Sequence, residues 1–523
     1  MLDDLRMFSR FARGLGRFLK TPLLPEECGR IVQEDLENRE RSFLEVLRRA
    51  VFDYQPSPYR KLFEWAGVNY GDAEILVRKE GIEGALNALY HRGVHLSLEE
   101  FKGLRPIQRS GRALTVKAQD FDNPLLAREF EVYSGGSTGR RRRLAVDFDS
   151  LIHDSACIYF GYDALGIHDR SVALWLSAPP GSAGIKNALR QAKLGRPIER
   201  WFTPTQPRWE AGEWQSAVFL KHAVWASRLT SSRLPSPTYV PLDSGQEIAR
   251  WLAAKACAGT PARLDTQPTG AVRACIAAAE SGVDISGSWF RVSGEPLTPS
   301  KAAFIQQTGC HVTSGWGMSE AGRIGLGCAA AAAVDEVHIL SSRVAVVQQH
   351  KTLDGSDVGA LYLTSLLPSA PKLMINVETG DSGVIAEGSC GCALEKLGFR
   401  QRVHTIRSYE KLTTAGMHFM GSDLIQLVEE ALPGRFGGYP TDYQFVEQEN
   451  GPRSSVTLVV SPSVGEIHEP DLVTFVLERL GERSRGERMM ADHWQRGRVL
   501  SVERRRPYAT PAAKIPPLRI LRG

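Results

Sequence analysis

The chain has 523 residues, of which 42% are hydrophobic and 24% charged, with 64 Lys and Arg against 59 Asp and Glu. That length exceeds what one hydrophobic core serves, and the composition excludes collagenous, disordered and disulfide-stapled classes. A net charge of +5 is too small an excess to mark a nucleic-acid binder. No stretch reaches about 18 uninterrupted apolar residues, so no membrane span is expected. Asp3 and Asp4 argue against a secretory leader, and eight cysteines in so long a chain against a disulfide framework, which together point to a reducing, cytoplasmic setting.

Residues 2–19 place Leu2, Leu5, Phe8, Ala12, Leu15 and Leu19 on one helical face and most of Arg6, Arg10, Arg13 and Arg17 elsewhere. This basic amphipathic helix is expected to dock on the body of the protein or on a sister subunit in a homodimer; a membrane-surface or partner-binding role is the alternative. Residues 22–104 read as a polar helical entry region with a turn at Gln55–Pro58 and a cap at Asp72. Beyond it, apolar runs at 172–176, 289–292, 344–347 and 360–363 alternate with helical patterns at 149–162 and 300–308, the rhythm of α/β layers. The composition shifts near residue 400, and helices at 422–432 and 470–480 flank a strand at 455–460. The expected architecture is a large α/β domain over 1–406, with 1–104 mainly helical, and a small mobile α+β domain over 407–523.

The most informative segment is Tyr133-Ser-Gly-Gly-Ser-Thr-Gly-Arg140, which leads into the basic run Arg140 to Arg143. Glycines let backbone N–H groups approach phosphate oxygens, hydroxyls add donors and arginines add charge; a flexible turn is the plain alternative. The Lys-Ser/Thr ending of a Walker loop is absent, which excludes a P-loop NTPase. A second basic run, Arg504 to Arg506, could also hold a polyanion or simply face solvent.

Downstream follow Gly294-Glu-Pro-Leu-Thr-Pro299, Ser314-Gly-Trp-Gly-Met-Ser-Glu320, Thr379-Gly-Asp381, Arg407 and Ala512-Ala-Lys514. This ordered set resembles the adenylate-forming superfamily of acyl- and aryl-CoA synthetases, luciferases and adenylation domains. Within it, Ser57 to Gly67, Pro371 to Asp381 and Cys390-Gly-Cys392 look like the signatures of the phenylacetate-CoA ligase branch. The departures are Gly135 in a serine position, Ile406, Tyr409 and Glu410 around the hinge arginine, and prolines in place of glycine around Lys514.

The resemblance implies ATP-dependent activation of a small carboxylic acid as an acyl-adenylate, with release of pyrophosphate. Transfer to a thiol would follow, with coenzyme A as the first choice and the phosphopantetheine of a carrier protein or a protein cysteine as alternatives. A catalytically silent nucleotide- or acyl-binding homologue is a further alternative. The implied nucleotide site comprises Ser134, Gly135, Gly136, Ser137, Thr138, Gly139 and Arg140; Gly294, Glu295 and Pro296; Trp316 stacked on adenine, with Gly317, Met318 and Ser319; and Asp381 on the ribose. Glu320 would hold Mg²⁺, Lys514 would meet the α-phosphate and carboxylate oxygens, and Arg407 would stand beside the hinge.

Cys328 and His338 form a Cys-x9-His pair, followed after a long gap by Cys390 and Cys392. Four such ligands satisfy tetrahedral Zn²⁺ in a structural site with no open position, and some members of the branch place Cys and His similarly. Free buried thiols beside a solvated histidine are the alternative.

Overall fold

The computed structural model describes the chain apart from residues 1, 128, 134–142, 207–213, 354–355, 387, 410–411, 415–416, 420, 451–452, 483–490, 492–493, 497–498, 511 and 523. The phosphate-type loop from Ser134 to Arg140 lies outside the described residues.

The apolar runs become strands because their two faces are covered by helices. Val172–Trp175 and Arg263–Thr266 are buried at every position, as central strands of a parallel sheet must be. Six neighbouring strands run parallel, in the order His311–Met318, Trp289–Ser293, Arg263–Thr266, Val172–Trp175, Arg200–Thr203 and Thr238–Tyr239. From His311–Met318 the same sheet continues antiparallel through Gly322–Leu326, Val337–Ile339, Arg402–Ser408, Val377–Ala386, Ser356–Ser365 and Val344–Leu353. The expected helices appear as Phe148–Asp163 and Pro299–Gln307, the latter capped by Thr298, whose hydroxyl accepts from the Lys301 N–H. The entry region is helical, and Asn69 and Asp72 close a reciprocal cap at 3.0 and 3.1 Å.

The first helix, Leu2–Lys20, lies on the protein's own body: Phe11, Leu15, Phe18 and Leu19 are buried in one cluster with Phe130, Phe148, Leu189 and Phe219. Each such side chain removed from water contributes about 1.5–3 kcal/mol. The face is rotated from the expected one, since Phe11 and Phe18 are buried whereas Ala12 is only partly so. The large Phe148 and Phe130 rings meet Phe11 at 6.0 and 5.3 Å and set that rotation.

A separate four-stranded sheet is built in the order Leu500–Arg504, Arg453–Val460, Tyr443–Asn450, Leu518–Arg522. It packs with the helix Glu469–Gly481 around its own core of Leu432, Phe445, Leu458, Leu472, Val476 and Trp494. The helix expected over 422–432 is interrupted: Gly421–Gln426 passes into a wide turn at Leu427–Ala431 and then Leu432–Phe436. Pro433 has no N–H to give the carbonyl four residues back, so the regular ladder cannot continue there. The large sheet also reaches further than expected, because Asp381 pairs with Ser408; the 406/407 boundary therefore falls inside a strand.

Candidate active site

Open α/β sheets bind ligands beyond the C-terminal ends of their parallel strands. Gly294 follows the strand Trp289–Ser293 at that edge, and the carbonyl of Gly294 accepts a hydrogen bond from the Lys514 ammonium. Two distant parts of the sequence, 220 residues apart, thus meet at one backbone oxygen.

A tight turn positions the lysine. The Thr510 N–H donates to the Lys514 carbonyl at 2.7 Å, the Ala513 N–H donates to the Thr510 carbonyl at 2.7 Å, and the Lys514 N–H donates to the Thr510 hydroxyl at 3.1 Å. The fully buried Gln444 clasps the flanks, donating to the carbonyls of Tyr508 and Pro516 at 3.0 and 2.8 Å and accepting from the Tyr508 N–H at 2.7 Å. Thr510 and Gln444 thus supply the order of the turn. Sequence reading missed both; a lone Gln and Thr carry no signal until the loop closes on them.

Glu295 is fixed by Thr269, whose N–H and hydroxyl donate to its carboxylate at 3.1 and 2.7 Å. Pro296 is partly exposed beside it. Trp316, Gly317, Met318, Ser319 and Glu320 are all partly exposed at the end of His311–Met318, where the pairing slips by a bulge between Trp316 and Gly317. A Cβ on Gly317 would stand 2.8 Å from the Gly322 carbonyl, so the strand can turn there only through glycine. Glu320 forms no ion pair or side-chain hydrogen bond among the described residues, and its field reaches the buried Lys186. A half-exposed, unpaired carboxylate is the hard oxygen ligand Mg²⁺ prefers, so the residue present fits that ion.

Asp381 sits on Val377–Ala386, where its N–H donates to Thr379 at 3.1 Å while that hydroxyl donates to the Leu361 carbonyl at 2.9 Å. Arg407 is turned onto Asp335 at 2.6 Å, and Asp335 also accepts from the N–H groups of Thr405 and Ile406 at 3.1 Å each. The residue expected beside a hinge is therefore gripped by the large sheet. Tyr409, in an acidic position of the family pattern, donates to the Glu378 carboxylate and joins the Lys351–Glu378 pair. The late basic run is held by protein partners: Arg504 donates to the Val464 and Gly465 carbonyls, Arg505 covers Tyr508 at 3.6 Å, and Arg506 pairs with Asp243 of the large unit.

Cys328, His338, Cys390 and Cys392 converge, with their ligand atoms all within 4.8 Å of one another. Pairing of Leu326 with His338 brings the first two together across neighbouring strands. His338 Nδ1 lies 2.7 Å from the Phe399 carbonyl, which fixes the proton there and leaves Nε2 facing Cys390 and Cys392 at 3.4 and 3.3 Å. The Cys-x-Cys loop is tied by Glu395, which accepts from Ser389 and from the N–H groups of Cys390 and Gly391 at 2.7–2.8 Å. Two cysteines and a tautomer-fixed histidine closing on a third cysteine fit a tetrahedral zinc without rearrangement.

No family model matches the sequence, and no curated protein matches it. Solved structures do match in shape. The postadenylation state of 2-hydroxyisobutyryl-CoA ligase with 2-HIB-AMP superposes with a TM-score of 0.52 at 15% identity, over 96% of this chain and 90% of that one. The same ligase with R3-HIB-AMP gives 0.53 at 14% identity, with the same coverage. With its large layered α/β body and small α+β unit, the chain has the two-domain fold of the adenylate-forming ligases.

Proposed function

We propose that this protein activates a carboxylic acid with ATP, forming an acyl-adenylate and pyrophosphate, and passes the acyl group to a thiol, coenzyme A being the best-fitting acceptor. The observation that carries the reading is the delivery of the Lys514 ammonium from the small unit to the strand-end carbonyl of Gly294. A cation held there by a rigid turn offsets the charge that develops as a carboxylate oxygen attacks the α-phosphate, and it does so without reorganising at the moment of reaction. Trp316 offers the adenine a broad π face, Glu295 and Pro296 line the base, Asp381 accepts from the ribose hydroxyls, and the Ser134 to Arg140 loop would wrap the phosphates. Mg²⁺ at Glu320 would supply charge neutralisation for the departing pyrophosphate. Cys328, His338, Cys390 and Cys392 would hold a structural Zn²⁺, closed to chemistry by its four protein ligands.

Thiol transfer in this reading uses a second orientation of the small unit, with the boundary placed near residues 407–420. The seam between the units supports it. It is polar, carrying Lys301–Glu429 at 2.7 Å, Arg273–Asp442 at 3.3 Å and Arg506–Asp243, and it leaves a cavity of about 550 Å³ lined by Asp243, Arg273, Glu280 and Thr510 among others. Each unit keeps its own core, and an apolar contact across the seam is Phe304 against Tyr439, with ring centroids 5.0 Å apart. The resemblance to the phenylacetate-CoA ligase branch rests on Ser57 to Gly67, Pro371 to Asp381 and Cys390-Gly-Cys392.

The test is pyrophosphate exchange into ATP with purified protein across aryl, fatty, hydroxy and dicarboxylic acids, followed by thioester formation with coenzyme A. Exchange that requires an acid is expected. ATP binding without exchange for any acid would favour the silent homologue instead.

A further inference from the structure

Beneath the strand ends that carry Gly294 and Trp316 lies a buried floor with far more positive than negative charge. Lys186, Arg190, Arg263, Arg291, Arg323 and Arg343 are each at least nine-tenths buried. Among the described residues, two carboxylates are in ion-pair contact with them. Asp154 is shared by Arg190 and Arg343, and Asp265 by Arg263 and Arg291 at 3.0 and 2.6 Å. Arg263 also covers the Tyr162 ring at 3.9 Å. Among the described residues Lys186 and Arg323 have neither an ion pair nor a side-chain hydrogen bond. Other carboxylate effects act only through space: Glu320 on Lys186, Asp265 on Arg323, and Asp35, already held by His153 at 2.6 Å, on Arg343.

The two unpartnered cations sit against the candidate reaction site. Arg323 is paired across the sheet with Gly317, next to Trp316, and its guanidinium lies where a Cβ on Gly315 would stand, at 2.9 Å. Gly315 is thus a glycine that makes room for a buried arginine. Lys186 lies in the helix Ala183–Lys193, and its neighbour Asn187 accepts at 3.0 Å from Arg291 on the strand that ends at Ser293, one residue before Gly294. Burial pulls Lys186 down to about 8 and Arg323 to about 9, the neighbouring arginines adding to the effect. Glu320 and Asp265 offset these charges only through space; buried cations with no contacting partner are costly to the fold, and a bound anion lowers that cost.

We propose that the acid activated by this protein carries a second anionic group, a distal carboxylate, which is bound by Arg323 and Lys186 at this buried floor while the reacting carboxylate faces Lys514. The proposal rests on the adenylation reading for its reaction but not for its binding site. A pocket built to pair a buried charge rejects an analogue lacking that charge far more strongly than an apolar pocket rejects a missing methylene. The floor therefore acts as a specificity filter against monocarboxylic acids.

The experiment compares matched pairs, butyrate with succinate and hexanoate with adipate, in acid-dependent pyrophosphate exchange and in thermal stabilisation by the acid alone. The wild type is expected to favour the dicarboxylate by about 100-fold in kcat/KM. Arg323→Met is expected to raise KM for the dicarboxylate and shrink that preference toward parity, leaving KM for ATP unchanged; Lys186→Met acts in the same direction. Wild-type preference for monocarboxylates overturns the proposal. So does a rise in KM for ATP with acid preference intact, which would assign these cations to the nucleotide phosphates. If Arg323→Met does not fold, Lys186→Met and the wild-type pairs decide. If no acid supports exchange, the adenylation reading fails by itself; stabilisation by the dicarboxylate that Arg323→Met abolishes would still uphold the site, and equal response to both acids would overturn it.

Discussion

Two clusters of the same sheet are each incomplete, in opposite senses. Cys328, His338, Cys390 and Cys392 gather ligand atoms that call for a cation, whereas Lys186 and Arg323, amid four further buried arginines, call for an anion. The first is closed by a fixed tautomer and a tied loop, as a structural centre should be. The second lies beside the strand ends where Lys514 arrives, as a substrate site should. The difference teaches that chemistry-bearing side chains are gathered by different means, a tied loop and a fixed tautomer in the first cluster and burial against the sheet in the second.

Removing the ammonium that reaches the strand end beside the second cluster should have the largest effect. Lys514→Ala is expected to lower acid-dependent pyrophosphate exchange by about 10²–10³-fold while ATP still binds, measured by exchange and by nucleotide titration. Unchanged exchange would show that this lysine has no part in activation. Next, Cys392→Ser should abolish stoichiometric zinc, read by elemental analysis of the purified protein, and lower its melting temperature, while the preference between mono- and dicarboxylic acids stays as in the wild type. Wild-type protein without zinc would remove the metal centre from the account. Glu395→Ala, which frees the Cys-x-Cys loop without removing a ligand, should weaken zinc affinity by about 10–100-fold in a chelator competition.

The smallest effect concerns the docked first helix. Burial, aided by Asp147 and Asp149, raises Glu129 to about 7, although the Phe148 N–H donates to it. A carboxyl raised in the folded state contributes stability below its unfolded value near 4.5 and loses it as pH rises through about 7. Glu129→Gln should therefore raise the melting temperature slightly at pH 8 and leave it unchanged or lower at pH 4. A shift of equal size and sign at both pH values would contradict this.

What could be read in advance follows from how much a residue type says about its own surroundings. The Trp316 to Glu320 run, Gly294 to Pro296 and the four metal-type residues stand out in the sequence by type and order, and the structure places the first two at strand ends and gathers the last four. The strands at 172–176 and 289–292 announce burial by composition. Lys186 and Arg323 announce nothing, because a lone Lys or Arg in sequence is ordinarily a solvated surface residue. Only the pairing of Gly317 with Arg323 and the packing of Ala183–Lys193 on the sheet bury them near the strand ends. The rotation of the first helix toward Phe11 and Phe18 was likewise set by partners more than 100 residues away, Phe130 and Phe148. The extension of the large sheet to Ser408 depended on register with Asp381, which no local pattern records.

The central claim is that a carboxylate oxygen attacks the α-phosphate of ATP at the site completed by Lys514. Its most direct test is a turnover with ¹⁸O-labelled carboxylic acid, ATP, Mg²⁺ and coenzyme A, followed by mass analysis of the nucleotide. The account predicts AMP carrying one ¹⁸O atom and unlabelled pyrophosphate. AMP without the label, or formation of ADP in its place, would contradict it.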